Sequence, residues 1–290
     1  MKVVGFTFVR NALKYDYPVF ESISSLLPLC DEVVVAVGNS DDGTLVLIQR
    51  INSPKIRIVE TVWDDALRAG GRVLAVETDK ALAAVLADAD WAIYLQADEV
   101  LHEADYPAIR VVMERWKNDK AVEGLLLNYH HFYGSYGYVG DSYRWYRREI
   151  RIIRLGIGVH SYRDAQGFRR ADNRKLRVKL LDANVHHYGW VKMPAAMQRK
   201  QETFGKLWHS DEWVAQNVAA AKEFDYSQVD SLQRFEGTHP AIMQPRINAQ
   251  NWQFDHDPSR NCYRFKDRFK QTLERLTGYR MGEYRNYELF

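Results

Sequence analysis

Residues 32–37 read EVVVAV and run into a polar turn, Gly38-Asn39-Ser40-Asp41-Asp42-Gly43-Thr44. An unbroken β-branched run marks a strand buried on both faces of a parallel sheet, because a half-exposed strand would alternate. The pattern recurs on either side of it. Residues 2–9 (KVVGFTFV), 55–61 (KIRIVET) and 90–96 (DWAIYLQ) read as strands, with helical spacing over 17–27, 44–51 and 71–87. Asp42 or Ser40 is placed to cap the helix that starts at Thr44. Strand–helix alternation predicts right-handed βαβ units and an α/β fold. Function in such a sheet lies beyond the carboxyl ends of the strands. Those ends are 7–11, 38–43 and 96–99; all are polar and two are rich in acid.

Past residue 120 the character changes. Residues 123–132 and 179–187 read as strands, and 129–146 are dense in aromatic residues and glycine. The last hundred residues read as helices and long loops, for example 194–209, 211–224 and 266–277. The expected organisation is a domain over residues 1–190, with a C-terminal helical and loop extension, residues 191–290, packed on its acceptor side.

The 290 residues are 46% hydrophobic and 27% charged, enough to bury a sizeable core. A formal net charge of +2 argues against a general polyanion binder. The total conceals an asymmetry: residues 1–140 carry 13 basic and 20 acidic side chains, and residues 141–290 carry 27 and 18. Within 144–179 there are 12 basic residues and 3 acidic ones, which fits one anionic ligand or ion pairing to the acidic half. Nucleic acid is not an expected partner, because Ile152-Ile153, Leu155 and Gly156-Ile157-Gly158 interrupt that segment. No apolar run approaches the ~18–20 residues of a membrane span. Residues 3–9 are too short for a signal-peptide core. Cys30 and Cys262 stand far apart and form neither a disulfide framework nor a CxxC pair. The expectation is a cytoplasmic protein with possible peripheral contact at the inner face of the membrane; the oligomeric state stays open.

Neither GxxxxGK[ST] nor GxGxxG follows the first strand, so carboxylates would hold a nucleotide, and a metal with basic side chains its diphosphate. Asp98 and Glu99 close a hydrophobic strand, where a rim carboxylate suits Mg²⁺ or Mn²⁺ bridging two phosphates. Acids also end strands simply to solubilise turns. His186 and His187 follow another apolar strand, and Mn²⁺ accepts imidazole beside oxygen.

In order and spacing, FTFVRN (6–11), VAVGNSDDGT (35–44), LQADE (95–99) and HHYGW (186–190) resemble a family 2 glycosyltransferase of the GT-A fold. The resemblance covers about residues 1–190. It implies a GT-A-like, mostly parallel central sheet flanked by helices. Thr7, Val9, Arg10 and Asn11 would line the nucleotide base, and Asp41 or Asp42 would hydrogen-bond uracil or guanine. The family's Asp-x-Asp corresponds to Gln96-Ala97-Asp98, with Asp98 on the metal and His187 or His186 completing the set. Gln96 departs from the family's first Asp and brings no charge, though it can still bond the ribose or a metal-bound water.

The activity so implied is transfer of a sugar from a UDP- or GDP-sugar to a glycan or lipid-linked acceptor. It would be inverting, assisted by Mn²⁺ or Mg²⁺, and would serve cell-surface polysaccharide synthesis. Such transfer needs positive charge on the leaving diphosphate and a base for the acceptor hydroxyl. Arginines of 144–154 are candidates for the first. Asp164, an acid in the basic segment followed by a flexible turn, is the candidate base, with Glu99 and Asp141 as rivals. Aromatic residues, 13% of the chain, are candidates for stacking on sugar faces, and His239 for facing the site. The competing reading is a catalytically degenerate protein that binds a nucleotide sugar or glycan, for which Gln96 is the argument.

Overall fold

The structure is a computed structural model that describes residues 1–290 except 68, 86, 219–220, 228, 262–264 and 278–279. Strands β1 (Val3–Val9), β2 (Glu32–Gly38), β3 (Ile56–Thr61) and β4 (Trp91–Tyr94) alternate with helices α1 (Val19–Leu26), α2 (Thr44–Gln49) and α3 (Arg72–Ala83). There follow β5 (Glu99–Leu101), α4 (Tyr106–Trp116), β6 (Gly124–Tyr133), β7 (Tyr138–Gly140) and β8 (Arg148–Arg154). The hairpin β9 (Val159–Tyr162) and β10 (Gly167–Arg170) precedes the long β11 (Leu176–Trp190). The remainder holds α5 (Pro194–Trp208), α6 (Asp211–Asn217), β12 (Leu232–Arg234), α7 (Gln244–Asn248), α8 (Phe265–Thr277) and β13 (Tyr287–Leu289). Cys30 is buried and free, and Cys262 lies outside the described residues. Among the described residues no helix is long and apolar enough to cross a membrane.

The α/β expectation stands. β3, β2, β1 and β4 lie side by side and parallel, with Thr7 opposite Val35 and Phe6 opposite Tyr94. The sheet continues through the antiparallel β8 to β6, then to β7 and β12, while β11 joins β6 and carries β5 and β13. Alternation along the strands divides the core in two. Val3, Val9, Val33, Val35, Val37 and Ile93 pack against α1, α2 and α4, whereas Val4, Phe6, Phe8, Val34 and Tyr94 face α3 and the β9–β10 hairpin. Both faces of β2 are therefore covered, as its β-branched run requires.

Residues 191–290 are not only helices and loops, because β12 and β13 extend the sheet. Each is three residues long and held by main-chain pairing at an edge, with no side-chain alternation to reveal it. The tie to the first domain is ionic as well: Arg246 of α7 reaches Asp16 at 2.8 Å and Glu21 at 3.1 Å.

Four arginines of the basic segment are structural. Arg154 donates to the carbonyls of Val122, Trp116, Lys117 and Asp119, and Arg147 bridges Glu274 and Glu283. Arg174 pairs with Glu123. Arg151 is fully buried and grips the equally buried Glu99 through two 2.8 Å bonds, Nε to Oε2 and Nη2 to Oε1. Removing one partner of such a pair strands the other charge in the core. Arg151→Met is therefore expected to cost about 3–5 kcal/mol, read from urea unfolding.

Glu149 beside it behaves differently. Burial pushes its carboxyl up from 4.5 to about 7, against the nearby Arg151 charge. A raised acid favours the fold while protonated, so its contribution is complete below about pH 4.5 and lost as pH rises through about 7. Glu149→Gln is expected to be the more stable protein at pH 8 by about 1–3 kcal/mol and to flatten the pH profile between 5 and 8.

Candidate functional site

The carboxyl ends of β1 to β4 surround a cleft of about 360 Å³. Val9, Arg10 and Asn11 come from the end of β1, Asp41 from the turn after β2, Trp63 and Asp65 from the turn after β3, and Gln96, Ala97 and Asp98 from the turn after β4. Phe8 and Tyr17 line it too, and Thr203, Phe204, Lys206 and Leu207 of α5 form the far wall.

Asn11 joins the first two strand ends. At φ +56° it occupies the left-handed region that Asn tolerates better than most residues, and its main-chain N–H donates to Ser40 Oγ at 3.0 Å. Its side-chain oxygen accepts from Asp41 N–H at 2.9 Å. Arg10 lies over the Trp63 ring and pairs with Asp65 at 2.6 Å. Trp63 packs so closely on Gly38 that a Cβ there would lie 2.3 Å from the indole nitrogen. Asp41 meets Lys14 at 2.8 Å, and that hydrogen bond holds its carboxyl below the usual carboxylate range. Asp42 does not face the cleft: its carboxylate accepts from Thr44 N–H and the Thr44 hydroxyl, and from Lys14 N–H at 2.8 Å. Of the two acids considered for the base, Asp41 alone is in place. Thr7 is fully buried within β1, beneath the cleft rather than on it.

The turn after β4 is held from below. Glu99 is fully buried; besides Arg151 it accepts from Tyr129 OH at 2.8 Å and Gln96 N–H at 3.0 Å. With every approach taken, Glu99 cannot serve as a catalytic base, and that expectation is corrected. The Gln96 amide donates to Ala165 O at 3.2 Å. Asp98 is left pointing into the cleft.

Pairing of β5 with β11 sets His187 opposite Glu99, which brings His187 Nε2 to 3.7 Å from Asp98 Oδ1. Lys200 Nζ of α5 donates to Gly189 O at 2.9 Å and lies 3.5 Å from Asp98 Oδ2. Burial alone would raise the Asp98 carboxyl, but the nearby His187, Lys200 and Lys192 outweigh it and hold the group below its ordinary value. Lys192, fully buried, donates to Asp16 O at 2.6 Å, and burial together with the charge of Lys200 lowers it to about 7. His187 is lowered by burial against the pull of Asp98.

Two ligand atoms thus converge, one from Asp98 and one from His187. Gly189 leaves the space between them open: a Cβ there would sit 2.6 Å from His187 Nε2 and 2.7 Å from Asp98 Oδ2. No group of three or more His, Cys, Asp or Glu able to hold a metal occurs among the described residues. A pair fits Mg²⁺ or Mn²⁺, because these ions retain water and are completed by phosphate oxygens of a ligand. His186 is not part of this set. It packs with His102, His130 and His239 on the opposite side of β11, and His239 bonds Tyr188 OH and Tyr136 O there rather than facing the cleft.

Asp164 sits at the tip of the β9–β10 hairpin between Arg163 and Ala165, both at positive φ. It is half-buried, and its Cβ stands 2.8 Å from where a Cβ on Gly71 would be, as does the Trp208 ring. Burial raises its carboxyl, offset in part by its own main chain and by Arg163. Asp164 is not one of the residues lining the cleft, but it shares a loop with Ala165, whose carbonyl anchors Gln96. Asp141 lines a separate cavity, with His131 and Arg280. The residues missed by sequence reasoning are Trp63, Tyr17, Lys192, Lys200 and Lys206, and no local pattern marks them.

Gly189→Ala is expected to drive His187 and Asp98 apart. Mn²⁺ binding, followed by electron paramagnetic resonance, should weaken at least about tenfold, while circular dichroism stays that of the wild type.

No protein family and no curated protein matches the sequence. Among solved structures, the chain is similar to TarS from S. aureus, at 12% identity and TM-score 0.39 over 77% of this chain and 41% of that one. The form TarS 1-349 gives 12% identity and TM-score 0.41 over 77% of this chain and 67% of that one. Glucosyl-3-phosphoglycerate synthase from Mycobacterium tuberculosis, in complex with Mn²⁺, UDP-glucose and phosphoglyceric acid, gives 17% identity and TM-score 0.31 over 46% of this chain and 44% of that one. The chain thus spans less than half the length of TarS and of the synthase.

Proposed function

We propose that the chain is a glycosyltransferase that moves a sugar from a nucleoside-diphosphate donor to a hydroxyl of a glycan or lipid-linked acceptor. One observation carries this reading: an aromatic and acidic subsite, Trp63 with Asp41, shares a single cleft with the Asp98–His187 pair. The base of a UDP- or GDP-sugar would lie between Trp63, Arg10 and Asp41, with its diphosphate directed to Asp98 and His187. A divalent cation held by Asp98 and His187 would supply positive charge to the diphosphate. Lys206 on the far wall and Lys200 behind Asp98 add to the same field, which is strong because the floor is dry.

Asp164 is the proposed base. Burial raises its carboxyl and so makes it readier to take up a proton, and its place on the hairpin tip, with Trp208 of α5 against the same glycine, Gly71, suits an acceptor entering beside α5. In a single displacement the acceptor oxygen bonds to the anomeric carbon and the proton passes to Asp164. The sugar–phosphate bond breaks with its electron pair on the diphosphate, which inverts the anomeric centre. A role in surface polysaccharide assembly is what the sequence resemblance implies.

The test is turnover of UDP- and GDP-sugars with Mn²⁺, by transfer or by hydrolysis. We expect Asp98→Asn to lower kcat by at least about 100-fold and Asp164→Asn by about 10²–10⁴-fold. Trp63→Ala should weaken nucleoside-diphosphate binding about tenfold. A nucleotide sugar that binds but is never turned over would instead support the binding-only reading, which the neutral, carbonyl-tethered Gln96 favours.

A further inference from the structure

Behind the Asp98–His187 pair stands a second histidine that the proposed reaction does not use. His131 of β6 is 3% exposed and lies level with His187 in the β6–β11 register. Its Nε2 is 2.8 Å from Tyr146 O, and its Nδ1 is 3.0 Å from His187 Nδ1. A carbonyl oxygen only accepts, so Nε2 of His131 carries a proton and donates it. The ring is stacked between Tyr129 and Trp145, and its two nitrogens meet a carbonyl and another imidazole rather than a carboxylate, surroundings that suit an uncharged ring. A neutral imidazole with its proton on Nε2 has a bare Nδ1. The 3.0 Å contact between the two Nδ1 atoms then requires the proton to belong to His187. His187 Nε2 faces Asp98 at 3.7 Å, beyond hydrogen-bond reach, so it donates no proton there and is the bare atom of a ring protonated at Nδ1.

From this chain of bonds we infer that His131 is a positioning residue: it fixes His187 as the tautomer whose Nε2 lone pair is presented, with Asp98, to a divalent cation. Without it, His187 would be free to place its proton on Nε2 and hydrogen-bond Asp98, closing the pair to a cation. Ligating histidines are oriented in this way by whatever accepts their other N–H, usually a carboxylate or carbonyl. Here a neutral histidine does so, and the carbonyl of Tyr146 determines which way that histidine points. The stack of Trp145, His131, Tyr129 and Tyr146 is thereby given a task other than sugar binding. It packs around the relay and holds its rings in place. The inference rests on the proposed role of Asp98 and His187 in holding a cation, and its test separates the two.

The experiment has two readouts. Long-range ¹H–¹⁵N correlation on the metal-free protein should show His187 protonated at Nδ1 and bare at Nε2, with His131 protonated at Nε2. Mn²⁺ is then titrated by electron paramagnetic resonance, alone and with UDP, into wild type, His131→Gln and His131→Leu. Gln supplies an acceptor for His187 and a donor for Tyr146, so it should keep the affinity within about threefold; Leu supplies neither and should lose about 10–100-fold. Equal affinities for the two variants, no Mn²⁺ binding to any form, or a proton on Nε2 of His187 in wild type would each overturn the inference. Should the Leu variant fail to fold, the wild-type tautomers decide alone. Should UDP fail to bind while Mn²⁺ still distinguishes Gln from Leu, the relay stands and the glycosyl-transfer reading falls.

Discussion

The bidentate ion pair of Glu99 and Arg151 holds the floor of the cleft in place. Two charges in a core cost solvation that only good geometry offsets, and here the geometry is complete. Arg151 also donates to the carbonyls of Ile150 and Gln166, and its guanidinium lies against the rings of Tyr94 and Tyr129. Glu99 accepts from Tyr129 and from the Gln96 main chain, so the turn between β4 and β5 is pulled down onto β8. Two consequences follow. The pair of adjacent acids is split, with Glu99 facing inward and Asp98 into the cleft. The start of β5 is also set for pairing with β11, which brings His187 to Asp98.

Charge in this molecule is sorted by burial more than by position in the chain. The Arg-rich stretch 144–179 is where a sequence count puts the positive charge, yet its guanidinium groups cap carbonyls and pair with Glu99, Glu123, Glu274 and Glu283. Arginine suits that work, because its planar fork satisfies several acceptors at once. The cations at the cleft are Arg10, Lys14 and Lys206 on its walls, with Lys200 and Lys192 beneath. Lysine shifts more readily when buried, and both of the buried lysines are lowered.

How much of this was legible in the sequence follows from the range of the interactions. The β-branched run of β2 and the polar strand ends are local patterns, and they located the sheet and the rim of the cleft. Asp41, Arg10, Asn11, Gln96 and Asp98 line that rim because each closes a strand or the turn after it. Glu99 and Asp42 misled for the same local reason: an acid at a strand end looks available until its long-range partner, Arg151 or the Lys14 main chain, is known. Lys200 and Trp63 were invisible because helix docking and a close approach to Gly38 place them, and neither leaves a periodic trace. His131 stands undistinguished within the aromatic stretch 129–146, since its meaning depends on register with a residue 56 positions on.

The central claim is that a nucleoside-diphosphate sugar occupies the cleft at the ends of β1 to β4. Amide hydrogen exchange with and without UDP- or GDP-sugars and Mn²⁺ tests it most directly, because bound ligand suppresses local opening where it sits. The account predicts added protection confined to residues 8–17, 38–44, 96–98 and 203–207. Protection confined to the polar cavity of about 420 Å³ bounded by Asn128, Trp145, Arg148 and Arg280, or no added protection with any donor, would contradict it.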